Sequence, residues 1–560
     1  MSERTTKRGG DHVYDALVDA GIELLVGLPG TQTLPLDRVV AERDEMTYVM
    51  ARHETSIPHV AWGYYEATGR PAATLTVPGP GDTNAMHGLK NAADDCVPVV
   101  HVSADIDPED RGKGPIHEIP PDTYDNVVKA NVNVESRAEL TGTVHGAIET
   151  ALTPPFGPVR IGVPSSILEA TFEAERKPVE RGRASVDSDG GYPDAVDALA
   201  SAERPLVYVG GGTRRSPDGG RIARELAERL DAPVLASYKG KGVVPEDDAQ
   251  FLGVSAKHLP ASAHRVLEAA DVVLALGTDF DGVTTADWTL PMGETLIHVN
   301  LDPEDIDNGY ASDVPIVADV AVAGGQLIDG LAARSQRAET WNGAALATTA
   351  REEYFDHLEA DGLLADDPIH TPGALGTVRD VIPRDAIVTT DIGGFRLWAK
   401  QAFEAYDERG YVTSGSWAGM GVGLPAALGA KFAHPDREVV ALTGDGGLMM
   451  SLTELHTAVE HGLDVTTVVL NNGDYGIISQ SPKIDRYTDG HRFEWDSPDF
   501  VSIAEGFGCT GVRVSTRSGL ATAMADAFDE DGPTLVDVDI PAEEPSPVDA
   551  GDYESALEVE

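Results

Sequence analysis

Cysteine is almost missing from this chain: Cys96 and Cys509 are the only two in 560 residues. They stand far apart, so neither a disulfide framework nor a metal-binding spacing is on offer, and a reducing cytoplasm is the expected compartment. No apolar run reaches the roughly eighteen residues that a membrane-spanning helix needs. Residues 1–11 are polar and lead straight into a helical pattern, without the apolar stretch of a secretory signal. Basic residues are scarce too, 42 Lys and Arg against 93 Asp and Glu, for a net charge of -51. Nucleic acid is therefore not an expected partner, because its phosphates call for a basic stripe. The acids are scattered, as at Asp302, Glu304, Asp305 and Asp307, rather than collected in a tail. This pattern reads as a solvated anionic coat suited to molar salt, where a Debye length of about 3 Å screens self-repulsion. The alternative is a partner with a basic surface.

What is present is a rhythm. In residues 11–175, apolar runs at 24–26, 73–77, 97–102 and 159–163 read as strands, each followed by Gly, Pro or small polar residues and then a helix. That is the pattern of a parallel sheet covered by helices. Residues 190–335 repeat it with strands at 206–209, 233–235, 272–276 and 296–300, and residues 345–545 with strands at 386–389, 439–442, 466–470 and 534–538. The expected fold class is α/β, three doubly wound parallel-sheet domains. The first and third segments share a similar rhythm, which suggests related folds. The aperiodic, charged stretch 173–191 reads as a linker and the acidic end, 541–560, as frayed. Gly210-Gly211-Gly212 offers a phosphate cradle but lacks the later glycine of a dinucleotide fingerprint, so it reads as a tight turn.

The strongest chemical signal is Thr443-Gly444-Asp445-Gly446-Gly447 followed by Asn471-Asn472. Asp445 lies just past the carboxyl end of the apolar strand 439–442. Leu448, Leu452, Leu455 and Val459 then recur at spacings of four, three and four, one buried face of a helix. Gly462 ends that helix, and strand 466–470 places Asn472 past its own end. Such a βαβ unit sets Asp445 and Asn472 side by side at the carboxyl edge of a parallel sheet, where open α/β sheets bind ligands. A carboxylate and a carboxamide oxygen are hard ligands for a magnesium ion that also holds diphosphate oxygens. Gly446 and Gly447 let backbone amides approach those oxygens at a helix N-terminus, where the dipole favours anions. Alone, Gly-Asp-Gly is usually a turn and Asn-Asn a loop; their matching strand ends make them a site.

Gly-Asp-Gly followed after some two dozen residues by Asn-Asn resembles the hallmark of thiamine-diphosphate enzymes of the acetolactate synthase, pyruvate decarboxylase and benzoylformate decarboxylase group. The likeness covers about residues 11–540 and is closest overall to acetolactate synthase large subunits. It implies a pyrimidine-binding domain over 11–175, a central Rossmann-like domain over 190–335 and a cofactor- and metal-binding domain over 345–545. By that resemblance Asp445, Asn472 and the backbone carbonyl of Asp474 would hold Mg2+. The run from Gly415 through Ser416-Trp417-Ala418-Gly419-Met420 to Pro425 is similar to the pyrimidine-binding segment, with the Ala418 carbonyl holding the amine and Met420 as the wedge between the rings. Asp391-Ile392-Gly393-Gly394 resembles the first diphosphate loop, and Gly444 and Gly476 complete the expected cofactor contacts. Arg52-His53-Glu54 resembles the family's Arg-His-Glu, whose glutamate contacts the pyrimidine. Gly27-Leu28-Pro29-Gly30 and the loop from Pro78 to Asn84 resemble its neighbours. The resemblance implies a 2-oxo acid substrate, Glu54 as the proton-sharing carboxylate, and at least a homodimer, since the two sides of one site come from different chains. A small regulatory subunit is a further partner to test for.

Departures from the acetolactate synthase pattern leave the reaction open. Gly394 and Phe395 stand where Gln-His is usual, Ile116-His117-Glu118 replaces Phe-Gln-Glu, and about Ser481 a tryptophan is lost. Asp279-Phe280-Asp281-Gly282 lacks two arginines, one linked to substrate and one near the flavin, which weakens the case for FAD. Pro29 to Pro35 and Asn84-Ala85-Met86 are of the benzoylformate decarboxylase style, yet Val77 stands where that group carries a histidine. His117, His53 and His87 are then the candidates for a proton relay. The expected activity is decarboxylation followed by carboligation. The alternatives are simple decarboxylation, a flavin-linked oxidase or transferase, and a regulatory or assembly protein that binds the cofactor without turnover.

Overall fold

Three six-stranded sheets of parallel strands carry the chain. The computed structural model describes residues 3–182, 190–334, 341–481, 483–484, 486, 491–547, 555–557 and 559. From edge to edge, the N-terminal sheet runs Thr47–Met50, Leu24–Gly27, Ala72–Thr76, Val99–Asp105, Val159–Pro164, Ala130–Asn133. The C-terminal sheet runs Tyr411–Thr413, Ile387–Thr390, Val439–Gly444, Val465–Asn471, Thr534–Asp539, Thr510–Val514. Counted in chain order, both are 2-1-3-4-6-5, so the shared rhythm of the first and third segments reflects one topology used twice. The middle sheet runs Phe251–Val254, Val234–Ala236, Pro205–Val209, Val272–Leu276, Thr295–Asn300, Val314–Val317. Its order, 3-2-1-4-5-6, is that of a Rossmann fold. Strand residues such as Val26, Leu75, Val102, Val440 and Val469 are fully buried, as strands covered by helices on both faces must be.

The N- and C-terminal domains share a single apolar core through the helices Ser56–Thr68 and Gly423–Ala433. Gly63 and Gly429 let these helices touch backbone to backbone: a Cβ on Gly429 would overlap the Val60 carbonyl, and one on Gly63 would overlap Ala426. The middle domain is tied in by buried charge. Glu66 of the first helix meets Arg215 at 2.8 Å, Arg214 at 3.2 Å and Lys239 at 3.5 Å. Lys239 also pairs with Asp95 at 3.0 Å and donates to the Thr413 carbonyl at 2.8 Å. Burial pushes the Glu66 carboxyl up, but the cations around it outweigh that and bring it down to about 2.

Three expectations need correction. Part of the supposed linker is a strand: Thr171–Arg176 pairs antiparallel with Glu3–Arg8. Half of its side chains are charged and none is buried, so no apolar run announced it. Residues 183–189 of the same stretch lie outside the described residues. The acidic end is not simply frayed. Arg265 donates to the carbonyls of Ser555 at 2.7 Å and Leu557 at 2.5 Å, Glu353 accepts from the Ala556 amide at 2.8 Å, and Leu557 is buried on the middle domain. Finally, the helix after Asp445 is two helices, Asp445–Ser451 and Glu454–His461. The break brings the buried Glu454 carboxylate under the N-terminal domain, where it accepts from the amides of Arg52 at 3.1 Å and His53 at 3.2 Å.

Candidate active site

In each outer sheet, one strand continues to an edge on one side while the next strand in the chain lies on its other side. Ligands bind at such a switch point, at the carboxyl ends of the strands. In the C-terminal sheet it lies between Ile387–Thr390 and Val439–Gly444, which lead into Asp391 and Asp445. Asp445 is 3% exposed; its Oδ2 accepts from the Gly473 amide at 3.1 Å and lies 3.0 Å from Ser497 Oγ. Burial pushes its carboxyl up, and among the described residues no cationic side chain pairs with it. Asn472 Oδ1 accepts from the Asp474 amide at 3.2 Å. The Asp474 carboxylate is already engaged by Arg492 at 2.9 Å and Ser479 Oγ at 2.6 Å, which leaves its backbone carbonyl as the group it can lend.

Around this pair the structure gathers the other C-terminal candidates. A Cβ on Gly446 would stand 2.9 Å from the Tyr475 ring and 3.4 Å from the Met420 methyl, so Met420 lies over the Gly-Asp-Gly turn. Gly447 backs onto Asp391 and Thr443. Gly394 opens the helix Gly394–Ala402, with the Ile477 amide 3.8 Å from where its Cβ would be, close to Gly476. Phe395 is buried in the C-terminal core and lays its ring against Gly393, 3.2 Å from where a Cβ there would stand. Ala418 takes the left-handed backbone at φ 48°, which costs a non-glycine residue about 1–3 kcal/mol unless its surroundings impose it. Part of that imposition comes from a residue that the sequence marks only as the start of the first diphosphate loop, without revealing its anchoring role. Asp391, fully buried, accepts from the amides of Gly421 at 2.8 Å and Gly423 at 3.1 Å and so anchors the turn that carries Met420. Ser497 was missed; it sits 26 residues beyond Asn471, to which it is linked at 2.9 Å, and no local pattern marks it.

The second half lies at the equivalent switch point of the N-terminal sheet, between Leu24–Gly27 and Ala72–Thr76. Glu54 Oε2 accepts from Asn84 Nδ2 at 3.0 Å, while Oε1 faces the Gly81 turn, 3.6 Å from where a Cβ would stand. Gly30 packs against Val77 too closely for any side chain, beside the exposed Pro29. His117, at φ 66°, lays its backbone over Gly79, and its Nδ1 lies 3.2 Å from Gln32 Nε2. His53 bonds the Thr55 amide at 3.2 Å in the same loop as Glu54. The candidates thus form two groups, each on its own sheet: Pro29, Gly30, Glu54 and His117 on one, Gly393, Gly394, Ala418, Met420, Asp445 and Asn472 on the other.

Between the middle and outer domains lies a cavity of about 620 Å³. Its wall carries Asp279, Asp281, Asp302 and Asp305, and crowding there together with burial pushes the Asp305 carboxyl up to about 6. Arg215 and Lys239 also line it, but both are committed to Glu66 and Asp95. In the Gly210-Gly211-Gly212 turn, Gly210 and Gly212 are packed against the backbone of Gly277, which explains those two glycines by close approach, while Gly211 faces the Lys239 side chain.

Comparison with known proteins agrees with this layout. Residues 7–126 match the thiamine pyrophosphate enzyme N-terminal TPP binding domain, 193–327 its central domain and 391–538 its C-terminal TPP binding domain. The acetolactate synthase isozyme 1 large subunit of Escherichia coli (strain K12) is 30% identical over 553 residues, covering 97% of this chain and 96% of that one. The acetolactate synthase large subunit of Parasynechococcus marenigrum (strain WH8102) is 31% identical, covering 96% of this chain and 88% of that one. A probable acetolactate synthase large subunit of Methanocaldococcus jannaschii is 29% identical, with 96% and 92% covered. With three consecutive domains matched and relatives aligned end to end, the chain belongs to the thiamine pyrophosphate enzyme family.

Proposed function

We propose that this chain is a thiamine-diphosphate- and Mg2+-dependent enzyme that decarboxylates a 2-oxo acid and joins the remaining fragment to a second carbonyl compound, as an acetolactate synthase does. The observation that carries the reading is Asp445, a buried carboxylate with no cationic partner among the described residues, beside Asn472 and the Gly446 turn at a sheet's switch point. That donor set fits magnesium, which takes one or two protein oxygens and fills its shell with phosphate oxygens. Asp445, the Asn472 carboxamide and the Asp474 carbonyl would hold the ion. The amides of Gly393, Gly394, Gly446 and Gly447 would face the diphosphate.

Thiamine diphosphate, when bound, supplies the electron sink that makes loss of carbon dioxide from a 2-oxo acid feasible. The chain's own residues orient and manage protons. Met420, held over Gly446, would stand against the cofactor between its two rings, and the Ala418 carbonyl, turned by its left-handed backbone, would hold the pyrimidine amine. Asn84 fixes Oε2 of Glu54 and no side chain among the described residues holds Oε1, so Oε1 is the atom that would exchange a proton with the pyrimidine nitrogen. His117, tied to Gln32, would serve as proton relay at the substrate end.

Several further points belong to the same reading. Apolar side chains rim both halves: Ile116 is 74% exposed on one, and Met450, Ile477 and Ile478 are exposed on the other. A second copy laying its N-terminal half over this C-terminal half would cover both rims and complete the site. The relatives are named large subunits, which motivates a search for a smaller partner. The carboxylates on the central cavity do not suit the diphosphate of FAD, so the enzyme would work without flavin. The dispersed negative charge fits a cytoplasm of high salt, and no described helix is long and apolar enough to cross a membrane.

Pyruvate supplied alone, with cofactor and magnesium in molar KCl, tests the activity. Acetolactate or acetoin is the expected product. Free aldehyde alone would replace carboligation with simple decarboxylation, the second reading that His117 and the altered acceptor-side residues favour. Saturable cofactor binding without any turnover of 2-oxo acids would make the chain a regulatory or assembly protein.

A further inference from the structure

One side chain bridges the two halves, and the reading above gives it no task. His87, on the helix Pro80–Asp94 of the N-terminal domain, reaches the Trp417-to-Gly421 turn of the C-terminal domain. Its Nδ1 accepts from Trp417 Nε1 at 2.9 Å. An indole N–H only donates, so Nδ1 carries a lone pair and the proton of the neutral ring sits on Nε2. Nε2–H then faces the Met420 carbonyl at 3.5 Å, the long limit of a hydrogen bond. The Cε1 edge of the ring lies against Gly419, where any Cβ would overlap it at 1.9 Å. His59, buried and with neither ring nitrogen hydrogen-bonded among the described residues, meets the His87 ring edge-on, centroids 5.0 Å apart at 82°. Burial and the neighbouring His87 push His59 down to about 3, so it packs as a neutral wall. Lys90, 5.8 Å above the Trp417 ring, is paired with Asp94.

We propose that His87 is a positioning residue: one neutral tautomer, selected by the Trp417 indole, fixes the near end of the turn that presents Ala418 and Met420. The proposal rests on the reading of that turn as cofactor-facing. Asp391 anchors the far end through the amides of Gly421 and Gly423. Between the two anchors Ala418 sits in a backbone region that persists only where its surroundings over-determine it. His87 supplies that determination from another domain, and it does so without touching the reacting atoms.

The test is calorimetric titration of the full-length protein with thiamine diphosphate at saturating Mg2+. His87→Ala is expected to weaken binding about tenfold, the scale of one or two lost hydrogen bonds. Trp417→Phe should do the same, and the double variant no more than either alone, since the two groups act as a unit. His87→Asn, whose amide oxygen can stand where Nδ1 does, should recover most of the affinity; a ring serving only as filler would not be rescued by a smaller side chain. Wild-type affinity in His87→Ala, or losses that multiply in the double variant, overturns the positioning role and leaves the cofactor reading intact. Absence of binding by the folded wild-type protein overturns both.

Discussion

A buried carboxylate is costly to keep ionised unless a cation stands beside it. Asp445 is such a group, and a divalent ion is what would relieve it. Asp445→Ala should therefore abolish Mg2+-dependent thiamine diphosphate binding, followed by intrinsic fluorescence, while leaving the metal-free fold at least as stable; retained, magnesium-dependent binding would remove Asp445 from the metal's ligands. Glu54→Gln keeps the shape and the Asn84 contact but cannot exchange a proton. It is expected to bind the cofactor with near-normal affinity and to lose about 10²–10⁴-fold in turnover, the usual worth of a positioned acid or base. At this scale the sequence was legible where chemistry repeats as a short motif. Asp445, Asn472 and Glu54 announce themselves by their neighbours in the chain. Ser497 does not, and the anchoring roles of Asp391 and His87, named only as a loop residue and a relay candidate, are equally hidden, because what each of the three holds lies 52, 30 and 330 positions away.

Elements were legible where burial is two-sided. Strands such as Val439–Gly444 and Val465–Asn471 are continuous apolar runs because helices cover both faces. The Thr171–Arg176 strand has a partner on one side only and stays wet, so it carries no such run. The pairing of the helices Ser56–Thr68 and Gly423–Ala433 was hidden for a different reason: it depends on two glycines whose counterparts are remote. Gly429→Val should force these helices apart and destabilise the chain by about 1–3 kcal/mol or more, read as a lower denaturation midpoint. Gly325→Ala is the control, in a helix position with nothing within 4 Å of the added methyl; it should be neutral or stabilising by about 0.5 kcal/mol. Equal losses from the two would show that the close approach has no special cost.

For the whole molecule, charge sets the conditions. A net charge of -51 repels itself in dilute buffer and is screened in molar salt. The melting temperature should rise steeply between 0.1 and about 2 M KCl; a flat response would dissociate the acidic surface from salt adaptation. Acid should act at the domain junction. Glu66 is held at about 2 against an ordinary 4.5, so its contribution is complete above pH 4.5 and is lost as the pH falls toward 2. Glu66→Gln should lower stability near neutrality and flatten the loss across that window, measured by urea midpoints at fixed salt.

The outer sheets share the strand order 2-1-3-4-6-5, and each carries half of the candidate site at the same place in that order. If a partner copy lends its N-terminal half to this C-terminal half, it must receive the reciprocal loan, and every pair of chains contains two complete sites. Two defective alleles can then mend each other. Chains bearing Glu54→Gln mixed with chains bearing Asp445→Ala would place both lesions in one site of each mixed pair and leave the other site whole, so half of the activity of a wild-type pair returns from two inactive parents.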